Sequence, residues 1–505
     1  MARRPLALIA GGLVAALTLV PVAAVLWRAG GPATFAAGDG QALRFTLWQA
    51  AVSAAVSVAL AVPVARALAR RAFPGRAVLV TLLGAPFILP VIVAVLGLIA
   101  VFGNAGILNR GLEALGLPGV TVYGAHGVIL AHVFFNLPLA TRMILQGWLA
   151  IPGERLRLAA ALGLGPWQVV RVVEWPMLRR VAPQAAAVIF VICLSSFAVA
   201  LTLGGGPRAT TVELAIYQAM RFEFDLGRAA MLACLQLALA MAAGLAALAL
   251  SGAAGMGAGL DRTVPRHDAQ RAGARFVDTI AIGAAAVFLL TPLALVGGNG
   301  AAGLFDLDAP VWRAAGRSVT VALASTALCL LWALPLATRR GEVAGLPGIA
   351  VSPLVLGTGL FILARPYVNP VALALPVTAI VNALMALPFA LRILRPEAEA
   401  VRADYGRLAA ALGLSGRVWL IRVFLPRLRR PLGFAAGLTA ALSMGDLGVI
   451  ALFADPERAT LPLQVYRLMA SYRMEAAQGA ALVLLALSLG LFWVFDRGGR
   501  VNADA

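Results

Sequence analysis

An acidic residue inside an apolar run is the first position at which this chain has the means to do chemistry. Asp446 lies in LSMGDLGVIALF, three residues after Ser443, and an earlier apolar run carries Ser195 and Ser196 side by side. A carboxylate enclosed by apolar residues offers a negative field to a cation, or a hydrogen-bond acceptor to a neighbouring helix; the residues alone leave both open. A second pattern is RLAAALGL, which occurs at Arg157–Leu164 and again at Arg407–Leu414. Its Ala and Leu, with Ala159 and Ala160 in one copy and Ala409 and Ala410 in the other, favour helix, while Gly163 and Gly413 suit a C-terminal turn. Thirteen residues beyond each Gly stands a proline, Pro176 or Pro426. The intervening stretch is amphipathic, with Trp167, Val170 and Val173 in one copy and Trp419 and Val423 in the other. Such a stretch suits either lipid headgroups or a partner protein.

Other chemistry is absent from the sequence. None of the 41 basic residues is Lys. A phosphate-cradling Walker A loop and a lysine Schiff base are both excluded, so ATP-driven work would need a second chain to hydrolyse the ATP. Cys193, Cys234 and Cys329 each sit in an apolar run without ligand-like spacing, and His126, His132 and His267 are scattered. Neither a metal site nor a disulfide is indicated. No nucleophile–base pair or paired intramembrane carboxylate supports an enzyme.

The elements that hold these residues are membrane spans. The chain of 505 residues is 61% hydrophobic and 12% charged, too few polar residues to cover a water-facing surface. Apolar runs long enough to cross a bilayer lie at about 5–27, 46–67, 78–102, 124–147, 182–203 and 229–251. They resume at about 277–296, 317–338, 346–364, 370–394, 431–454 and 477–495. The prediction is an all-α membrane protein of about twelve transmembrane helices. With the N-terminus inside, 29 of the 41 arginines fall in cytoplasmic segments and 12 in outer ones, so both termini are predicted to be cytoplasmic. That bias accounts for the net charge of +19 without nucleic acid as a partner. Trp27, Trp48, Trp148 and Trp312, near span ends, read as anchors at the lipid interface. The N-terminal basic pair and long apolar stretch read as an uncleaved first span rather than a signal peptide.

The chain is also a duplication. The offset of 250 that relates the two RLAAALGL copies also relates Leu137-Pro138 to Leu387-Pro388 and Arg142 to Arg392. It holds again for Pro176 and Pro426, and for Arg208-Ala209-Thr210 and Arg458-Ala459-Thr460. The predicted organisation is a first six-span unit at 1–251, a cytoplasmic linker at 252–276 and a second six-span unit at 277–505. Six spans is an even number, so the two units share one orientation about the membrane normal.

The paired loops, at about 151–180 and 401–430, resemble the EAA loops of ABC import permeases. Ala159, Gly163 and Pro176 match that pattern, as do Ala409, Gly413 and Pro426. The motif's leading Glu is replaced by Arg157 and Arg407, which puts any contact made by that Glu in question. The stretches ILAHVFFNLPLATR, IPGERLRLAAALG, VEWPMLRR, LTLGGGPRATTVELAIYQA and LSMGDLGVIALF are, further, similar to thiamine importer permeases. The resemblance implies two type I ABC importer permease units that carry thiamine and its phosphate esters. It implies a periplasmic thiamine-binding protein and two separate ATPase subunits, one per loop, which would hold the ATP and Mg. It places the fifth span of each unit, with Ser195, Ser196, Ser443 and Asp446, along the pathway, where Asp446 would face the thiazolium cation. It also offers Gly204, Gly205, Gly206, Pro207 and Glu213 as a contact for the binding protein. The location it implies is a bacterial inner membrane.

Two other classes share twelve spans in two halves. A ferric-iron ABC permease would want acidic or Tyr-rich outer faces, because hard cations take oxygen ligands; the chain has only six Tyr. An ion-coupled secondary transporter would need coupling-ion sites near the midplane and no loops for an ATPase.

Overall fold

The computed structural model describes residues 3–31, 35–83, 88–250, 271–338, 341, 351–414, 416–453 and 456–500. All regular structure among them is helical. The first half contributes α1 (Arg3–Ala29), α2 (Asp39–Arg70), α3 (Arg76–Leu82), α4 (Val91–Phe102), α5 (Ile107–Ala114) and α6 (Ala125–Leu149). It continues with α7 (Gly153–Ala161), α8 (Pro166–Val169), α9 (Trp175–Leu194), α10 (Phe197–Leu203), α11 (Val212–Arg221) and α12 (Leu226–Leu250). The second half contributes α13 (Ala272–Gly303), α14 (Ala309–Leu336), α15 (Pro353–Ala364), α16 (Ala374–Ala411) and α17 (Gly416–Trp419). It ends with α18 (Leu425–Arg427), α19 (Arg429–Met444), α20 (Gly448–Phe453), α21 (Leu461–Ala470) and α22 (Met474–Arg500).

Among the described residues, eleven helical segments are long and apolar enough to cross a membrane, and α15 is a shorter apolar helix. They match the twelve expected runs, with two differences. The run 78–102 is not one helix: α3 stops at Leu82, and α4 starts after Pro90, whose ring removes the N–H an uninterrupted helix would need. The run 346–364 is represented by α15 alone, and its first residues lie outside the described ones. So does most of the expected linker, at 251–270.

Burial ranks the helices. The most hydropathic windows of Arg429–Phe453 and Ala125–Leu149 are 78% and 72% buried, so the fifth span of the second half and the fourth span of the first lie at the centre. The corresponding windows of Leu226–Leu250 and Ala272–Asp306 are 22% buried, and their apolar faces meet lipid.

The halves are interlocked rather than side by side. The first span of each packs on the third span of the other, α1 on α15 and α13 on α4. Each crossing is made by a glycine against a proline. A Cβ on Gly97 would lie 2.7 Å from the Pro292 carbonyl oxygen, and one on Gly359 would lie 2.3 Å from that of Pro21. Only a residue without a side chain allows two backbones this close inside lipid. Arg70 and Arg71, ending α2, both grip the buried Asp278 of α13, at 2.5 and 2.6 Å. This pairing keeps a buried carboxylate from standing alone.

Candidate functional site

The fifth span of each half is broken at the residues that carry its polar side chains. In the first half α9 ends at Leu194 and α10 starts at Phe197, leaving Ser195 and Ser196 with non-helical backbone. In the second, α19 ends at Met444 and α20 starts at Gly448, leaving Gly445, Asp446 and Leu447 between them. Ser195 and Ser196 stand 250 residues before Gly445 and Asp446, so the two breaks are equivalent in the repeat.

A break at membrane depth frees backbone carbonyls that no water or lipid tail satisfies, so other spans must supply donors. Gln49 of α2 donates to the Cys193 carbonyl at 2.8 Å, and Gln236 of α12 donates to that of Leu194 at 3.0 Å. In the second half the Asn382 amide of α16 reaches the Ser443 carbonyl at 3.5 Å and its hydroxyl at 3.0 Å. Ser325 of α14 meets the same hydroxyl at 3.0 Å. The sequence reading missed these capping residues. Their signal was available, since each is a polar side chain in an apolar run, but nothing local to them announces a partner more than 40 residues away.

The two breaks converge on the seam between halves. Leu354 of α15, Asp446 and Phe197 all come within 4 Å of the bare face of Gly448, and Gly445 abuts Pro90 at the start of α4. Asp446 Oδ1 accepts a hydrogen bond from the Gly448 N–H at 3.2 Å. Its Oδ2 is buried and has no donor within hydrogen-bonding reach. Ser195 and Ser196 are half-buried and Ser443 is buried. The seam therefore holds one buried carboxylate oxygen without a hydrogen-bond partner among the described residues, beside half-buried Ser195 and Ser196.

The paired loops share one turn. In α7 the Gly163 N–H donates to the Ala160 carbonyl at 3.0 Å and the Leu164 N–H to that of Ala159 at 3.0 Å. At the end of α16, Gly413 donates to Ala410 at 3.2 Å and Leu414 to Ala409 at 2.8 Å. This is the double bond of a Schellman cap, and it requires left-handed backbone at the glycine; φ is +63° at Gly163 and +66° at Gly413. Ala159 and Ala409 face inward, whereas Leu158, Leu162, Leu408 and Leu412 are 60%, 66%, 56% and 64% exposed. Four exposed leucines at matching positions form two apolar knobs that no described residue covers.

The amphipathic stretch does not end at the proline. Both copies run through a π turn, Val170–Glu174 and Leu420–Phe424, closed by Trp175 N–H on the Val170 carbonyl and Leu425 N–H on that of Leu420. A proline has no N–H for the carbonyl four residues back, and its ring crowds that carbonyl; a widened turn just before Pro176 or Pro426 relieves both. The first π turn is pinned by Glu174, which is buried and takes Arg66 at 2.9 Å and Trp148 Nε1 at 3.3 Å. Trp148 is therefore not an interface anchor: it is 3% exposed, while Trp27, Trp48 and Trp312 are exposed. In the second copy Phe424 holds the equivalent place under the Arg402 guanidinium, 4.9 Å from its ring centroid. Arg157, standing where the motif has Glu, forms an exposed ion pair with Glu154 at 2.8 Å.

On the other side, Gly204 is buried and Gly205, Gly206 and Pro207 are exposed. Glu213 does not belong with them. It is 1% exposed in the short helix α11 and faces Gln236. Burial pushes its carboxyl up to about 7, against a smaller opposing bond from Ser352. A carboxyl so placed is unavailable to a docked protein.

No family model matches the chain. It is 41% identical over 482 aligned positions to the thiamine transport system permease protein ThiP of Escherichia coli (strain K12), covering 92% of this chain and 90% of that one. The protein of the same name from Brucella abortus (strain 2308) is 38% identical over 522 positions, covering 99% and 94%. That from Haemophilus influenzae is 34% identical over 472 positions, covering 89% and 87%. Likeness at this level over 89–99% of the chain takes in both halves, and the chain belongs to the family of thiamine transport system permease proteins.

Proposed function

We propose that this chain is the membrane-spanning permease subunit of an ATP-driven ABC importer, carrying thiamine and its phosphate esters inward from a periplasmic binding protein. It is a transport component and not an ATPase, having no Lys for a Walker A loop. The observation that carries the ATP-driven reading is the pair of loops: two copies of one glycine-capped turn, each leaving two leucines exposed. Two ATPase subunits, holding ATP and Mg, would each seat one loop. The cargo rests on the family.

In this reading both termini are cytoplasmic in a bacterial inner membrane, the loops face the cytoplasm, and Gly205–Pro207 meets the binding protein outside. Solute passes the seam between the fifth-span breaks, where Asp446 offers its negative field to the thiazolium charge. The test is uptake of labelled thiamine at nanomolar concentration by cells lacking this gene, with labelled ferric iron as control and ATP depleted in a parallel set. Loss of energy-dependent thiamine uptake alone supports the reading. Intact thiamine uptake with impaired iron uptake would transfer the cargo to iron.

A further inference from the structure

We propose that His132 is a positioning residue of the pathway: Ser53 fixes its tautomer, and its Nε2–H makes the Ser196 hydroxyl a hydrogen-bond donor at the break. This rests on reading the fifth-span breaks as the route of the solute. His132 stands on α6 and is 4% exposed. Its Nδ1 lies 3.2 Å from Ser53 Oγ of α2, and its Nε2 lies 2.5 Å from Ser196 Oγ. Two spans are thereby joined to the broken one through a single ring.

The hydroxyl count selects the tautomer. Ser53 is fully buried and makes no other hydrogen bond among the described residues. Were Nδ1 protonated, the Ser53 hydroxyl would have to accept, and its own proton would be left buried without a partner, a loss of about 1–3 kcal/mol. With Nδ1 bare, Ser53 donates to it and Nε2 carries the proton. That proton then points at Ser196 Oγ. Ser196 accepts it, and its own O–H is free to donate elsewhere. No acceptor for it occurs among the described residues, and Ser196 is half-buried beside Phe197, whose ring reaches Gly448 next to Asp446.

The second half ties its broken span at a different residue, Ser443, which stands 250 residues after Cys193 rather than after Ser196. Asn382 stands 250 residues after His132, and its amide donates to Ser443 Oγ at 3.0 Å while Ser325 meets that hydroxyl. An amide has a fixed donor, whereas an imidazole must be told which nitrogen to protonate, and Ser53 does so. The seam thus receives a donor from one half and a carboxylate acceptor from the other. That pairing fits a solute bearing both a positive charge and a hydrogen-bond acceptor.

The tautomer can be read whatever the cargo. The full-length protein carrying His126→Gln and His267→Gln, in lipid nanodiscs with ¹⁵N-labelled imidazole, should show a protonated Nε2 and a bare Nδ1. In the same background Ser53→Ala should admit the other tautomer. A protonated Nδ1 before that change, or an unaltered spectrum after it, would overturn the proposal. In transport, Ser53→Ala and Ser196→Ala should each lower the maximal rate about fivefold, the scale of one hydrogen bond, with unchanged KM for loaded binding protein. The double variant should be no slower than the slower single one, since both act through one ring. Multiplying losses, or a change in KM alone, would also overturn it. If the unaltered protein imports no thiamine, the cargo reading fails while the spectrum still decides the tautomer.

Discussion

Gly163→Ala and Gly413→Ala isolate what the paired loops require of their backbone. Both glycines have positive φ, +63° and +66°, and a Cβ built on either meets nothing within 4 Å. The substitution therefore adds no clash, and its whole effect is the left-handed backbone of an L-residue, about 1–2 kcal/mol. That is roughly a 5- to 30-fold loss in the population of the capped turn. If the turn is what the ATPase subunit grips, each variant should weaken binding of purified ATPase to the permease in nanodiscs by a factor in that range. Asn tolerates left-handed backbone far better, so Gly163→Asn and Gly413→Asn should recover most of the affinity. Ala variants that bind as tightly as the original, or Asn variants as weak as the Ala ones, would refute the reasoning.

Gly359→Ala should lower the thermal midpoint of the purified protein, because its Cβ would sit 2.3 Å from the Pro21 carbonyl oxygen and force two backbones apart. Overpacking of this kind costs about 1–3 kcal/mol, whereas Gly316→Ala, with open space around it, should not destabilise. Asp446→Asn should reduce maximal uptake about tenfold, the scale of one hydrogen bond to a charged group, without reducing the protein in the membrane. Unchanged uptake would end any role for the charge. Glu213 has a folded pKa of about 7, above the unfolded value of about 4.3, so burial favours its protonated form. Its contribution to stability is complete below about pH 4.3 and lost as pH rises through about 7. Glu213→Gln should match the original protein in thermal stability at pH 4 and exceed it at pH 8; parallel curves across that range would contradict the burial argument.

Much of the architecture was legible because membrane physics writes it in composition. Spans follow from runs of about twenty apolar residues, and the duplication from a fixed offset. The cap at Gly163 and Gly413 was legible too, since a glycine ending an Ala/Leu run has a local conformational reason to be there. The breaks at Ser195-Ser196 and Gly445-Asp446 were not. Hydropathy averages across a window and is blind to one non-helical residue, and what stabilises the break is remote: Gln49 reaches Cys193 across 144 positions. Trp148 and Glu213 failed for a related reason. Each sits at a polar boundary in the sequence, but the fold turns Trp148 onto Glu174 and Glu213 onto Gln236. Burial of that kind depends on which helices meet, and a one-dimensional pattern does not carry it.

The most direct test of the central claim is reconstitution. The permease would be placed in proteoliposomes with its partner ATPase and supplied with thiamine-loaded binding protein on the outer face. The account predicts accumulation of labelled thiamine that requires both ATP and the binding protein, and that falls when either loop loses its glycine. Accumulation driven by an ion gradient without ATP, or ATP-driven uptake of a different cargo only, would contradict it.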